Sequence, residues 1–118
     1  MSTSIALNIL GQIASLQGDA VEARRLCQEA LQIKRTIGDR WGMTYSLTYL
    51  GRVIQATGDY ATAQKLFAES LTICEAIGDQ RGAAFALQNL GDTAFAAGDL
   101  ATAGKRYQES LAFYRTIG

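Results

Sequence analysis

Leu50-Gly51-Arg52-Val53-Ile54-Gln55-Ala56-Thr57-Gly58-Asp59-Tyr60-Ala61-Thr62-Ala63 decides the architecture, because its landmarks return at a fixed interval on either side. Leu-Gly stands at 10–11, 50–51 and 90–91, Gly-Asp at 18–19, 58–59 and 98–99, and a small residue at Ala23, Ala63 and Ala103. Aligned on these marks, residues 41–78 and 81–118 also agree at Gly42 and Gly82, Leu47 and Leu87, Glu69 and Glu109, Ser70 and Ser110, and Leu71 and Leu111. Self-similarity with a period in the range of about 20–50 residues belongs to arrays whose units bury their apolar faces only against neighbours. The chain is three copies of one unit.

Glycine and aspartate punctuate each copy. Gly18, Gly58 and Gly98 precede one set of aspartates, Gly38 and Gly78 precede Asp39 and Asp79, and Gly118 holds the corresponding place in the third copy. Glycine tolerates the left-handed conformation that closes a helix, and an aspartate side chain accepts hydrogen bonds from the free amides of the next one. Each pair therefore stops one helix and starts another. The marks predict six helices, at roughly 4–17, 20–37, 40–57, 60–77, 80–97 and 100–117. Leu47, Leu50, Gly51 and Ile54 form one stripe at helical spacing, and Ala63, Phe67, Ser70, Leu71, Cys74 and Ile77 form another, both predicted to face inward. Asp19 followed by Glu22 has the form of a capping box, whereas the aspartates at 59 and 99 are followed by Thr62 and Thr102.

Composition limits what such an array could do. At 118 residues and 48% hydrophobic content the chain has the size of one domain, residues 1–118, with a continuous core. Eleven basic and eleven acidic residues cancel and lie scattered, so there is no basic face to neutralise phosphates, and nucleic acid is not the expected partner. With no histidine and only Cys27 and Cys74, a zinc site lacks ligands, and the two thiols read as core fillers. No apolar run approaches the roughly 20 residues of a membrane span, and no secretory signal opens the chain. A soluble cytoplasmic protein is expected, with no membrane partner.

In these residues the sequence resembles the tetratricopeptide repeat. Its pattern of large apolar residue, Leu, Gly and large residue on a first helix, then Ala, aromatic and small residue on a second, is met by Leu47, Leu50, Gly51, Ile54, Ala63, Phe67 and Ser70. The first copy offers Leu7, Leu10, Gly11, Ala14, Ala23, Cys27 and Ala30, and the third Leu87, Leu90, Gly91, Ala94, Ala103, Tyr107 and Ser110. The resemblance implies an all-α fold, a right-handed α-solenoid of three antiparallel helix-turn-helix units at about 1–38, 39–78 and 79–118. It also implies that Gly11, Gly51 and Gly91 mark helix crossings, that Phe67 and Tyr107 fill the gaps between units, and that the smaller Cys27 makes a looser junction. The common repeat has about 34 residues and ends in proline. Here the period is 40 and the close is Ile-Gly-Asp. That longer form is similar to repeats of the Leu-Gly-Asn adaptors, kinesin light chains, bacterial peptide-sensing regulators and the sensor arms of bacterial signalling ATPases.

The sequence does not point to an enzyme. Nucleophilic and acid–base machinery usually draws on a histidine or a close carboxylate pair, and no glycine-rich phosphate loop is present. The aspartates read as helix caps. Glu29, Glu69 and Glu109, each four residues after Arg25, Lys65 and Lys105, read as solvated helix pairs worth at most about 0.2–0.5 kcal/mol each. No cofactor is implied.

What the resemblance does imply is a partner, a peptide or protein held on the concave face lined by the first helix of each unit. The corresponding positions are Ile5, Asn8, Gln12 and Ser15, then Tyr45, Thr48, Arg52 and Gln55, then Phe85, Gln88, Asp92 and Phe95, with Tyr49 and Asn89 beside them. In the longer-repeat families the asparagine at the Asn89 position holds a peptide backbone. A spacing of three and four puts these residues on one helical face. At the ends, Ile5, Ile9, Ile13, Leu111, Phe113 and Tyr114 exceed what one stripe can cover, so the chain reads as a section of a longer array and its ends as surfaces for self-association, most simply a dimer. Two functions follow: an interaction scaffold within a larger signalling protein, or a self-associating spacer.

Overall fold

The computed structural model describes residues 3–117, so the expected closing glycine Gly118 lies outside the described residues. Six helices follow one another: α1 (Thr3–Leu16), α2 (Ala20–Ile37), α3 (Arg40–Ala56), α4 (Tyr60–Ile77), α5 (Gln80–Ala96) and α6 (Leu100–Ile117). Every predicted helix is present, with ends within one residue of expectation. The Gly-Asp device works as read. Gly38 and Gly78 close α2 and α4 at φ of 71° and 75°, and Asp39 and Asp79 accept the N–H groups of Gly42 and Gly82 at 2.9 Å each. Asp19, Asp59 and Asp99 cap in the same way.

Consecutive helices pack as antiparallel neighbours, and α3 also touches α1 and α5, whereas the backbones of the second helices α2, α4 and α6 do not approach one another closely. The first helices therefore form the tighter, inner layer and the second helices the outer one. The result is an all-α solenoid of three units, and the inner layer presents a concave face.

Helix crossings within a unit are set by glycine. A Cβ on Gly51 would stand 2.6 Å from the ring of Phe67, and one on Gly91 would stand 2.8 Å from that of Tyr107. These aromatics thus lie across the glycine of their own unit, and Phe67 also joins the core cluster with Leu87 and Leu90 of the next unit. At Gly11 the same construction meets the Cys27 sulfur at 2.6 Å, and Cys27 is fully buried. A Cβ at this crossing would meet Cys27 as closely as one at Gly51 would meet Phe67, the smaller side chain notwithstanding. Leu47, Leu50, Ile54, Ala63 and Phe67 are buried in one cluster with Leu26, Leu87 and Leu90.

Several expectations about charges and ends are corrected. Asp19 caps Glu22, but the Glu22 carboxylate turns to Arg25 instead of returning to the cap, so only half of the capping box forms. Arg25 also reaches Glu29 at 3.5 Å, yet Glu69 pairs with Arg35 of α2 at 2.8 Å and Glu109 with Arg106 at 3.3 Å, so Lys65 and Lys105 are not the partners. Phe113 is half-buried and packs against the core cluster, near Cys74 of α4 and Ala83 of α5. Ile13, Leu111 and Tyr114 are exposed as expected.

Candidate functional site

The concave face is built by α1, α3 and α5, and one turn of helix separates its successive residues. On α3, Trp41, Tyr45 and Tyr49 stand at four-residue steps, followed by Arg52 and Gln55. Four adjoining clefts line this face. Between the first turns of α1 and α3 lies one of about 400 Å³, walled by Ile5, Ile9, Trp41, Tyr45 and Tyr49 with Asn8 among its lining residues. Ile5 and Ile9 thus line the groove, at positions on α1 that match those of Tyr45 and Tyr49 on α3. A second cleft, of about 490 Å³, continues between α3 and α5 past Thr48 and Phe85. Later in the helices, Gln12 and Ser15 face Tyr49 and Arg52 across one cleft, and Arg52 and Gln55 face Phe85, Gln88, Asn89 and Asp92 across another of about 570 Å³.

Of the residues expected on this surface, all but one line these clefts. Phe95 is exposed on the last turn of α5 and borders none of them. Sequence reasoning missed Trp41, Arg81, Tyr60 and Lys34. The first two hold the same repeat position, one turn before Tyr45 and Phe85, so running the stripe one turn further toward each helix start finds both. Tyr60 and Lys34 belong to the outer helices and enter from the side; nothing in a first-helix stripe predicts them.

The polar groups here are unevenly satisfied. Lys34 Nζ reaches the Asp39 carboxylate at 3.0 Å, and the Gly42 N–H together with this ammonium holds the Asp39 carboxyl below its ordinary range. The Tyr107 hydroxyl donates to Asp92, and this bond, with some desolvation, pushes the phenol up to about 12. Thr44 and Thr48 turn their hydroxyls back onto carbonyls of their own helix.

Two amides stand apart. Asn8 and Asn89 are each 5% exposed, and each keeps one polar side-chain atom with no partner, Oδ1 in Asn8 and Nδ2 in Asn89. Asn8 Nδ2 donates to the Ser46 hydroxyl at 3.3 Å. That hydroxyl can donate as well as accept, so turning the amide over moves the unpaired atom without removing it. Asn8 is among the residues lining the first cleft and Asn89 among those lining the one of about 570 Å³.

Among the described residues no group of three histidine, cysteine, aspartate or glutamate side chains is placed to hold a metal, and no helix is long and apolar enough to cross a membrane. Cys27 and Cys74 are both free and buried; burial pushes the Cys27 thiol up to about 11.

A solenoid of helix pairs with an inner groove is the architecture of a repeat scaffold, and comparison with known families makes the class specific. A model of the tetratricopeptide repeat matches residues 42–116 and a second matches residues 3–40. The chain belongs to the tetratricopeptide repeat family. Among solved structures, the crystal structure of the TPR domain of Arabidopsis FLU superposes with a TM-score of 0.86, covering 97% of this chain and 96% of that one at 23% identity. At that identity the likeness is one of fold. No curated protein matches the chain. As a class, these repeats are non-catalytic modules for protein–protein interaction.

Proposed function

We propose that this chain takes a peptide segment of a partner protein in its concave groove, as the sensing or docking arm of a larger signalling protein in the cytoplasm. The observation that carries this reading is the pair of buried asparagines. Leaving a buried polar atom unpaired costs about 1–3 kcal/mol. Asn8 and Asn89 do this beside the clefts, where a turn of each amide toward a bound main chain would let its N–H and C=O groups satisfy both. Aromatic walls at Trp41, Tyr45 and Phe85 supply anchoring surface beside them. Two free, buried thiols suit a reducing compartment.

The test is a selection of binders from a random peptide library, followed by titration against wild type and an Arg52→Ala, Asn89→Ala double variant. Selected peptides are expected to lose affinity for the variant. Unchanged affinity removes the groove from the account.

A second reading, self-association, has its own observation. Tyr107, Leu111 and Tyr114 on α6 are 36%, 47% and 41% exposed, whereas Phe67 and Cys74, at the first and last of these positions on α4, are covered by α5. Leu10 and Ile13 on α1 are likewise half exposed where Leu50 and Val53 are buried. Each end thus offers the face that an internal junction of this solenoid buries, and a second copy of the chain would cover it. Light scattering with size-exclusion chromatography on wild type and Leu111→Glu tests this. A monomer at high concentration overturns it, and a dimer lost in the variant supports it.

A further inference from the structure

The first and last helices each have an apolar face that the fold leaves open, and the repeat shows what belongs against it. Residues one period apart hold the same place in successive units, so each open face has covered counterparts elsewhere in the chain. On α6, Tyr107 and Leu111 correspond to Cys27 and Leu31 of α2, which are buried in the core cluster. On α1, Leu10 and Ile13 correspond to Leu50 and Val53 of α3, which are buried in that same cluster. Cys27 and Leu31 on one side, Leu50 and Val53 on the other, make the first internal junction. The open faces of α6 and α1 are therefore the two sides of one further junction, carried at opposite ends of the molecule.

Charge selects among the ways in which two copies could cover these faces. Helix α6 carries Lys105, Arg106 and Arg115 against Glu109 alone, whereas α1 has no charged side chain. Pairing α6 with α6 would set two positive helices together, and pairing α1 with α1 would leave both α6 faces open. Seating α6 of one copy on α1 of another does neither.

An ion pair supplies the register. Across the first internal junction Arg35 of α2 reaches Glu69 of α4 at 2.8 Å. At the second, Glu75 stands in the place of Arg35, and Glu109 turns to Arg106 instead. One period further on, the place of Arg35 falls to Arg115, and in a following copy the place of Glu69 is held by Glu29. Arg115 is exposed and makes no ion pair among the described residues, and Glu29 is met only loosely by Arg25 of its own helix, at 3.5 Å. A junction between copies built like the first internal one brings this pair together.

We propose that copies of this chain stack head to tail, α6 of one on the first unit of the next, with Tyr107 and Leu111 against Leu10 and Ile13 and Arg115 paired to Glu29 of the next copy. This rests on the self-association reading and adds its polarity and register. An interface between unlike faces leaves one of each free on every dimer, so addition continues; each new junction repeats an internal one, and the solenoid winds on without closing.

Two variants test the polarity, since each blocks one face at an exposed position. Ile13→Glu closes the α1 face and Leu111→Glu the α6 face. In light scattering after size-exclusion chromatography, the wild-type mass is expected to rise with concentration past the dimer. Each variant alone is expected to stay monomeric, and an equimolar mixture of the two to form a dimer and nothing larger. A wild-type mass that levels off at the dimer, a single variant that still dimerises, or a mixture that stays monomeric while the wild type assembles overturns the polarity and leaves self-association standing. A wild-type monomer at high concentration overturns both. The mixed dimer also isolates one junction, to which the Ile13→Glu copy brings Arg115 and the Leu111→Glu copy brings Glu29. Adding Arg115→Glu to the first or Glu29→Arg to the second is expected to weaken it about two- to fivefold, the scale of an exposed pair, and adding both is expected to restore it. Single changes without effect, or weakenings that add instead of cancelling, overturn the register.

Discussion

Replacing Gly51 with alanine sets two effects of known sign against each other. Alanine within a helix is favoured over glycine by about 1 kcal/mol, because glycine loses more backbone freedom on folding. The added Cβ would stand 2.6, 2.9 and 3.0 Å from three atoms of the Phe67 ring, which is fully buried and has no free space to swing into. Relieving such contacts requires α3 and α4 to separate, and overpacking of this kind costs about 1–3 kcal/mol. The expected net result is a loss of about 1 kcal/mol. Gly104→Ala is the matched control. It lies within α6, and a Cβ there meets nothing within 4 Å, so only the helix preference remains and a gain of up to about 1 kcal/mol is expected. Urea denaturation followed by far-UV circular dichroism measures both, and the two midpoints should move in opposite directions. Combining Gly51→Ala with Phe67→Leu should abolish most of the loss attributable to Gly51→Ala, since the ring atoms responsible are gone. A midpoint raised by Gly51→Ala as much as by Gly104→Ala, or a loss undiminished in the Phe67→Leu background, would refute the reasoning.

Gly58→Ala should destabilise by about 1–2 kcal/mol in thermal melts, because its φ of 89° is a left-handed conformation that a Cβ opposes even though space around it is open. On acidification, the depressed carboxyls of Asp39, Asp59 and Asp99 contribute stability that is present above the ordinary aspartate range near pH 4 and is lost as pH falls through their folded values. Melting temperatures should therefore drop below about pH 4, and a flat profile down to pH 2 would contradict the capping account. In alkali the signs reverse. Cys27 and Tyr107 have folded values raised to about 11 and about 12, so their contribution is present below the ordinary thiol and phenol ranges and fades as pH rises through the folded ones. Native protein should accordingly leave Cys27 unreactive toward a disulfide reagent at neutral pH, and rapid labelling of that thiol would show that the α1–α2 junction opens.

Architecture was legible because each helix boundary is written twice, as a glycine that needs a left-handed backbone and as an aspartate that caps the next helix. The core stripes were legible for a similar reason: Leu47, Leu50 and Ile54 recur at a spacing that only a helix satisfies. Groove positions transferred well where they keep to the repeat, which brought thirteen of the fourteen expected groove residues, from Ile5 to Asp92, onto cleft walls. What failed depended on which neighbour a side chain chooses. Glu69 prefers Arg35 on another helix to Lys65 on its own, and Phe113 packs against the core cluster where Leu111 and Tyr114 beside it stay exposed. Those choices are fixed by rotamers and by the approach of α2, α4 and α5, and no periodicity within one helix encodes them.

Asparagine burial was the least legible feature and bears most directly on function, and Asn89→Leu tests it. Asn89 sits at 5% exposure with its Nδ2 unpaired, and leucine has the same branched shape, so the change removes an unsatisfied donor with little alteration in form. Stability of the free protein should rise by up to about 1–3 kcal/mol, the cost of leaving such a group unpaired. Peptides selected on the wild-type groove should bind the variant more weakly. Stability and binding would then move in opposite directions, as expected where a buried polar group is kept for recognition rather than for folding. Asn8→Leu should behave differently. Its amide bonds to Ser46, which is fully buried, so the substitution leaves that hydroxyl unpaired in turn and the gain shrinks or vanishes. Adding Ser46→Ala to Asn8→Leu should restore the gain. Chemical denaturation of the four proteins, with peptide titration alongside, measures both sides of this balance. If Asn89→Leu lowers stability by more than about 1 kcal/mol, the amide is part of the structural framework between α3 and α5, and the case for a recognition role fails with it.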